Sequence, residues 1–182
     1  MTYYGGKELA AAFRTVRNNT IKIATDIPEE QYDFKASSDT RSIRDTLVHI
    51  ALGTTFADHV HRNRISDMST INFQELMGKV GAEQAKPRTK SEIIALLERD
   101  GEAFASYLEG LTDAFLGEAV TMMPGAEPST RSRFEMLLSA KEHEMHHRGQ
   151  LMLIERMIGI VPHLTRDFQE RMARMQSAQA QK

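Results

Sequence analysis

Ser132-Arg133-Phe134-Glu135-Met136-Leu137-Leu138-Ser139-Ala140-Lys141-Glu142-His143-Glu144-Met145-His146-His147-Arg148-Gly149-Gln150-Leu151-Met152-Leu153-Ile154-Glu155-Arg156-Met157-Ile158 reads as one long helix. Ser132 with Glu135 three residues on has the spacing of a capping box, in which the two side chains satisfy amides that a helix start leaves orphaned. Gly159 can cap the other end. Met136, Ala140, His143, His147, Leu151, Ile154 and Ile158 recur at steps of three and four, so they share a face. Two imidazoles therefore stand within a stripe suited to burial.

Three more segments carry the same period. In the first, Leu9, Phe13, Val16, Thr20, Ile23 and Ile27 face one way, with Arg14, Arg17 and Lys22 on other faces; Pro28 ends it. The second starts near Ser42, supported by Asp45, and runs through Leu47, Val48, Ile50, Leu52 and Phe56 to Val60. It is apolar around much of its circumference and should be heavily buried. The third opens on the box Thr89-Lys90-Ser91-Glu92 and continues through Ile93, Leu97, Phe104, Leu108 and Leu111. Gly101 interrupts it at a cost of about 1 kcal/mol in propensity.

The connection 64–88 predicts one short helix over Phe73–Lys79, with Leu76 and Met77 facing in. Residues 112–130 read as irregular, since no alternating β pattern is apparent there. A terminal helix is expected over about 165–176 and a frayed tail over 177–182. The expectation is an all-α four-helix bundle with a core over about 7–160, in a single domain spanning 1–182.

Composition narrows the function. A net charge of −2 removes the electrostatic case for nucleic acid. No apolar run reaches the roughly 18 residues of a membrane span, and the start lacks the pattern of a signal peptide, so a cytoplasmic location is expected. There is no cysteine, so any metal must be held by His, Asp or Glu, and any thiol must come from outside.

The chain has seven histidines, three of them between 143 and 147. Burying two imidazoles without partners would cost roughly 1–3 kcal/mol each, a cost that a shared cation removes. His49, on the apolar stripe of the second helix, is the candidate third ligand. His49, His143 and His147 would leave a coordination position open for water or substrate, the pattern of a catalytic site. His59 and His61 lie toward a solvated helix end, His146 is turned about 100° from His147, and His163 falls in a loop after Pro162. The alternative for each histidine is an ordinary buried hydrogen bond. His143-Glu144-Met145-His146-His147 also matches H-E-x-x-H of zinc proteases. Against that stand Gln150 and Leu153, where the extended motif needs Gly and His, and the absence of a strand pattern.

The run Glu142–Leu151 resembles the last-helix signature of the DinB/YfiT-like superfamily, and Ser42–Ala51 resembles its second-helix signature. The resemblance implies a four-helix bundle with a divalent metal, nickel or zinc, on His49, His143 and His147. It further implies a homodimer and reactions that use low-molecular-weight thiols. The expected function is a metal-dependent enzyme acting on a small molecule by thiol transfer. A hydrolase and a non-catalytic metal-binding protein are the alternatives. Glu144, His146 and Arg148 are weak candidates for catalytic roles: the first two as proton shuttles, Arg148 as a carboxylate anchor or a helix-surface ion pair.

Overall fold

The computed structural model describes residues 4–180. In chain order it runs α1 (Gly6–Asp26), α2 (Ile43–Leu52), α3 (Thr55–Arg62), α4 (Phe73–Gln84), α5 (Lys90–Glu109), α6 (Asp113–Leu116), a ribbon of β1 (Ala119–Thr121) and β2 (Thr130–Ser132), α7 (Arg133–Met157) and α8 (His163–Ala180). The bundle is formed by α1, α2, α5 and α7. Each of α1 and α2 packs against both α5 and α7, which puts α1 diagonal to α2 and α5 diagonal to α7. Consecutive bundle helices joined across a diagonal need long connections. This explains why 27–42 and 110–132 exceed the two to eight residues usual between bundle neighbours.

The helix starts follow the sequence closely. Ser42, Thr89 and Ser132 each accept from the backbone N–H three residues on, and Glu92 and Glu135 close the last two boxes. Two apolar clusters stack along the bundle. One gathers Ile23, Tyr32, Leu47, Ile93, Leu97 and Leu151; the other gathers Phe13, Phe104, Leu108 and Leu137. Phe13 and Phe104 meet edge to face with centroids 5.0 Å apart.

Between the two clusters lies Arg17, which its place in the sequence put on a polar face. It is 3% exposed. Its Nη2 stands 3.0 Å from Glu144 of α7, its Nη1 donates to the Leu97 carbonyl of α5 and its Nη2 to the Ile50 carbonyl of α2. One guanidinium thus joins all four helices. Gly101 is the reason it fits: a Cβ there would lie 2.7 Å from Arg17 Cγ.

The same contact accounts for the break in the second helix, which the sequence presented as continuous from Ser42 to Val60. At Gly53 the backbone N–H turns back to Ile50 O, three residues earlier, the same carbonyl that receives Arg17. The helix then restarts as α3. His61, expected near solvent, is buried there at 1% exposure.

The connections hold more order than expected. The short helix α4 extends past Lys79 to Gln84, with Leu76 and Met77 half-buried. The stretch 112–130 contains α6 and β1, and three-residue strands are too short to leave a visible alternation. The terminal helix starts earlier, at His163, and continues through the expected frayed stretch to Ala180; residues 181 and 182 lie outside the described residues. His163 is not in a loop: it opens α8, is buried, and meets Asn19 Oδ1 through Nε2 at 3.2 Å. Among the described residues no helix is long and apolar enough to cross a membrane.

Candidate metal centre

α2 packs beside α7, and the three histidines meet across that seam. His143 and His147 are one turn apart on α7, and His49 approaches from the last turn of α2. One ring nitrogen from each lies within 4.8 Å of the others. His49 Nε2 and His143 Nε2 are only 3.0 Å apart. Two imidazole lone pairs at that distance repel unless a proton or a cation lies between them. Metal–nitrogen bonds of about 2.0–2.1 Å in a tetrahedron place donors about 3.3 Å apart, so this pair already has the required spacing. The donor set, three imidazoles with no carboxylate or thiolate among them, suits a borderline divalent ion such as zinc or nickel.

Electrostatics prepare the same state. Burial holds His49 neutral, lowering its pKa to about 4, with Arg41, His143 and His147 adding repulsion. Burial also lowers His143 and His147. Neutral imidazole is the form that ligates metal.

Two carboxamides, Gln84 and Gln150, orient the rings. His147 Nδ1–H donates to Gln150 Oε1 at 2.8 Å, leaving Nε2 with its lone pair. The Gln84 amide nitrogen stands 2.9 Å from His49 Nδ1; turned over, so that its oxygen accepts from Nδ1–H, the amide would do the same for that ring. Gly53 makes room for the third ring: a Cβ there would stand 3.0 Å from His143 Cε1 and Nδ1.

Glu144 faces neither solvent nor the histidines; it is 1% exposed and closed onto Arg17. That position removes it from proton shuttling and from the base role of H-E-x-x-H. His146 is on the surface, where its Nε2 accepts from Gln150 at 3.2 Å. Arg148 is half-buried and makes no ion pair among the described residues, so the helix-surface salt bridge expected for it does not form. Gln84, Gln150 and Arg41 were missed by sequence reasoning. A glutamine three residues after a ligand is a usable signal for Gln150; nothing marks Gln84, which arrives from α4.

One cavity borders the cluster directly, and a second is reached through Gln150. The first, about 390 Å³, has His143 in its wall beside Gly53, Phe56, Val60, Met122 and Met136. The other, about 620 Å³, is bordered by Arg41, Thr46, Gln150 and Leu153.

The sequence pattern of the DinB superfamily matches residues 12–151, which contain all three histidines. The chain belongs to the DinB superfamily. The uncharacterized DinB-like protein YjoA of Bacillus subtilis is 25% identical over 152 residues, 84% of this chain and 90% of YjoA. Its crystal structure superposes with a TM-score of 0.62 at 21% identity, covering 84% of this chain and 92% of that one. YfiT of B. subtilis, described as a probable metal-dependent hydrolase with an unusual four-helix bundle topology, gives a TM-score of 0.66 at 13% identity, covering 88% and 91%.

Proposed function

We propose that the protein is a divalent-metal-dependent enzyme acting on a small molecule, with thiol transfer as its reaction. The observation that carries this reading is the convergence of three neutral imidazoles, with no fourth protein ligand among the described residues, beside a cavity that His143 lines. A structural zinc site fills all four positions from the protein, whereas three ligands beside open space is the catalytic arrangement.

His49, His143 and His147 would hold the ion, and the ion would supply a lowered pKa for a thiol or water brought beside it. Gln150 keeps His147 in the ligating tautomer, Gln84 does so for His49 once its amide is turned over, and burial keeps the rings unprotonated. In the transfer, the thiol gives its proton to solvent, its sulfur bonds to an electrophilic carbon, and the leaving group departs with the bonding pair. The thiol is exogenous, because the chain has no cysteine. Hydrolysis is the second reading, favoured by the description of YfiT. With Glu144 locked in the core, it would have to proceed without a protein carboxylate at that position.

The first experiment is metal analysis of untagged protein, wild type and His49→Ala, His143→Ala and His147→Ala. The expected result is near one equivalent of nickel or zinc, lost in each variant. No metal in wild type, even after refilling, overturns the enzyme reading. Loaded protein is then assayed with 1-chloro-2,4-dinitrobenzene plus a small thiol, and with p-nitrophenyl acetate alone. Metal-dependent turnover only with thiol supports transfer; thiol-independent ester cleavage supports hydrolysis.

A further inference from the structure

The cavity beside His143 contains a feature the metal centre does not use. Its wall is almost wholly apolar: Phe56, Val60, Met68, Met122 and Met136, with Arg131 and Ser139 exposed at its edge. At about 390 Å³ it is at the small end of ligand pockets, which run to roughly 300–1,000 Å³. His61 is the buried polar group in this wall apart from the ligand His143. Its Nδ1 faces the guanidinium of Arg133 at 3.3 Å, and Arg133 is itself 1% exposed and fixed by Glu118 at 2.8 Å. A guanidinium only donates, so His61 Nδ1 is the acceptor and its proton sits on Nε2. Burial and Arg133 both disfavour a second proton and lower the pKa to about 4, so the ring is neutral at pH 7. Yet His61 Nε2 is buried and has no hydrogen-bond partner. An orphaned N–H of this kind costs about 1–3 kcal/mol.

We infer that this cavity binds the substrate's apolar body and that His61 Nε2–H donates to a neutral oxygen acceptor on it, a carbonyl or ether. The inference rests on the metal-enzyme reading only for the cavity's position next to a ligand. The substrate class is an uncharged or weakly polar aryl or alkyl compound that carries an oxygen acceptor. His61 Nε2 is itself covered, so the acceptor reaches it only as the wall shifts, and the three methionines are the side chains that can give way. No acidic side chain lines the cavity, which disfavours a cationic ligand. The larger cavity beside Arg41 has no orphaned buried polar atom in its wall.

Acetophenone and ethylbenzene, nearly alike in shape and differing in the carbonyl, test this by saturation-transfer NMR titration on the full chain. Wild type should bind acetophenone more tightly. His61→Phe, which keeps the ring and removes the N–H, should weaken acetophenone about three- to tenfold and leave ethylbenzene within about twofold. His61→Gln should recover part of the difference. Met122→Trp, distant from the metal ligands in sequence, should fill the cavity and abolish both. Equal weakening of both probes by His61→Phe and His61→Gln overturns the hydrogen bond. Metal measured on the same samples separates the two readings. Full metal with no probe binding overturns the pocket, whereas probe binding in protein that retains no metal overturns the metal centre alone.

Discussion

Arg17 and Glu144, 127 residues apart in sequence, close an ion pair in the middle of the bundle, with Glu144 next to the candidate ligand His143 and Arg17 bonded to the carbonyl next to the candidate ligand His49. The pair therefore sets the spacing of α2 and α7 from behind, one peptide away from the histidines on each. Removing one partner leaves the other charge buried, at a cost of about 3–5 kcal/mol. Glu144→Gln should lower stability by that amount in urea unfolding while leaving one equivalent of metal on the folded protein. Loss of turnover with stability unchanged would instead make Glu144 a reacting group.

Gly101→Ala sets two effects against each other. Helix propensity favours alanine by about 1 kcal/mol. The new Cβ, however, would lie 2.7 Å from Arg17 Cγ and 3.1 Å from its Nη1, and Arg17 is held at three other points and cannot step aside. Sterics should win, with a net loss of about 1–3 kcal/mol. Gly78→Ala in α4 has open space around the added methyl and should gain about 0.5–1 kcal/mol. Thermal melts of both variants decide the matter; a stabilised Gly101→Ala would mean that Arg17 is free to move.

Gln150→Ala and Gln84→Ala remove groups that orient His147 and His49 without removing a ligand. Metal affinity should fall by about 10–100-fold in each. Competition with a chromophoric chelator measures this, and unchanged affinity would show that packing alone orients the rings.

Glu155 gives the fold a pH dependence of its own. It is fully buried, neither carboxyl oxygen has a hydrogen-bond partner, and burial together with Asp26 raises its pKa to about 7 against the opposing pull of Arg166 and Arg156. The folded state therefore holds a proton between about pH 4.5 and 7 that the unfolded chain has released. This contribution to stability is complete at low pH, falls as pH rises to about 7, and is flat above. Its full size is up to about 3 kcal/mol. Glu155→Gln should remove this slope, so the difference in unfolding free energy between variant and wild type should widen from pH 5 to pH 7. Parallel curves would place the titration elsewhere.

The parts of the fold visible in the sequence were those set by local chemistry. The boxes at Thr89 and Ser132 fix where two helices start, and the period around His143 and His147 puts both on one face of α7. The apolar stripe of the second helix singled out His49, and the structure brings it to the other two. Hidden in the sequence was everything decided by distant partners. Arg17 looked solvated because its Glu144, Leu97 and Ile50 partners lie far along the chain. Gly101 looked like a defect because the side chain it accommodates comes from another helix. His61 looked exposed because Arg62, Asn63 and Arg64 follow it, whereas Arg133 of α7 draws it inward. The ribbon of β1 and β2 was too short to show a period.

The break at Gly53 has a bearing on how the protein could change its ligand. His49 lies before the break and His61 after it, so the element that carries the candidate ligand and the element that lines the cavity do not share one helical register. In an unbroken helix, a one-residue insertion before His61 would turn it by 100° relative to His49. Here the turn at Gly53-Thr54 separates the two registers, so α2 stays anchored on Arg17 while α3 is held independently, through His61 on Arg133. Substitutions at the cavity-facing positions of α3, such as Phe56 and Val60, should reshape the cavity and leave the seam of His49, His143 and His147 in place.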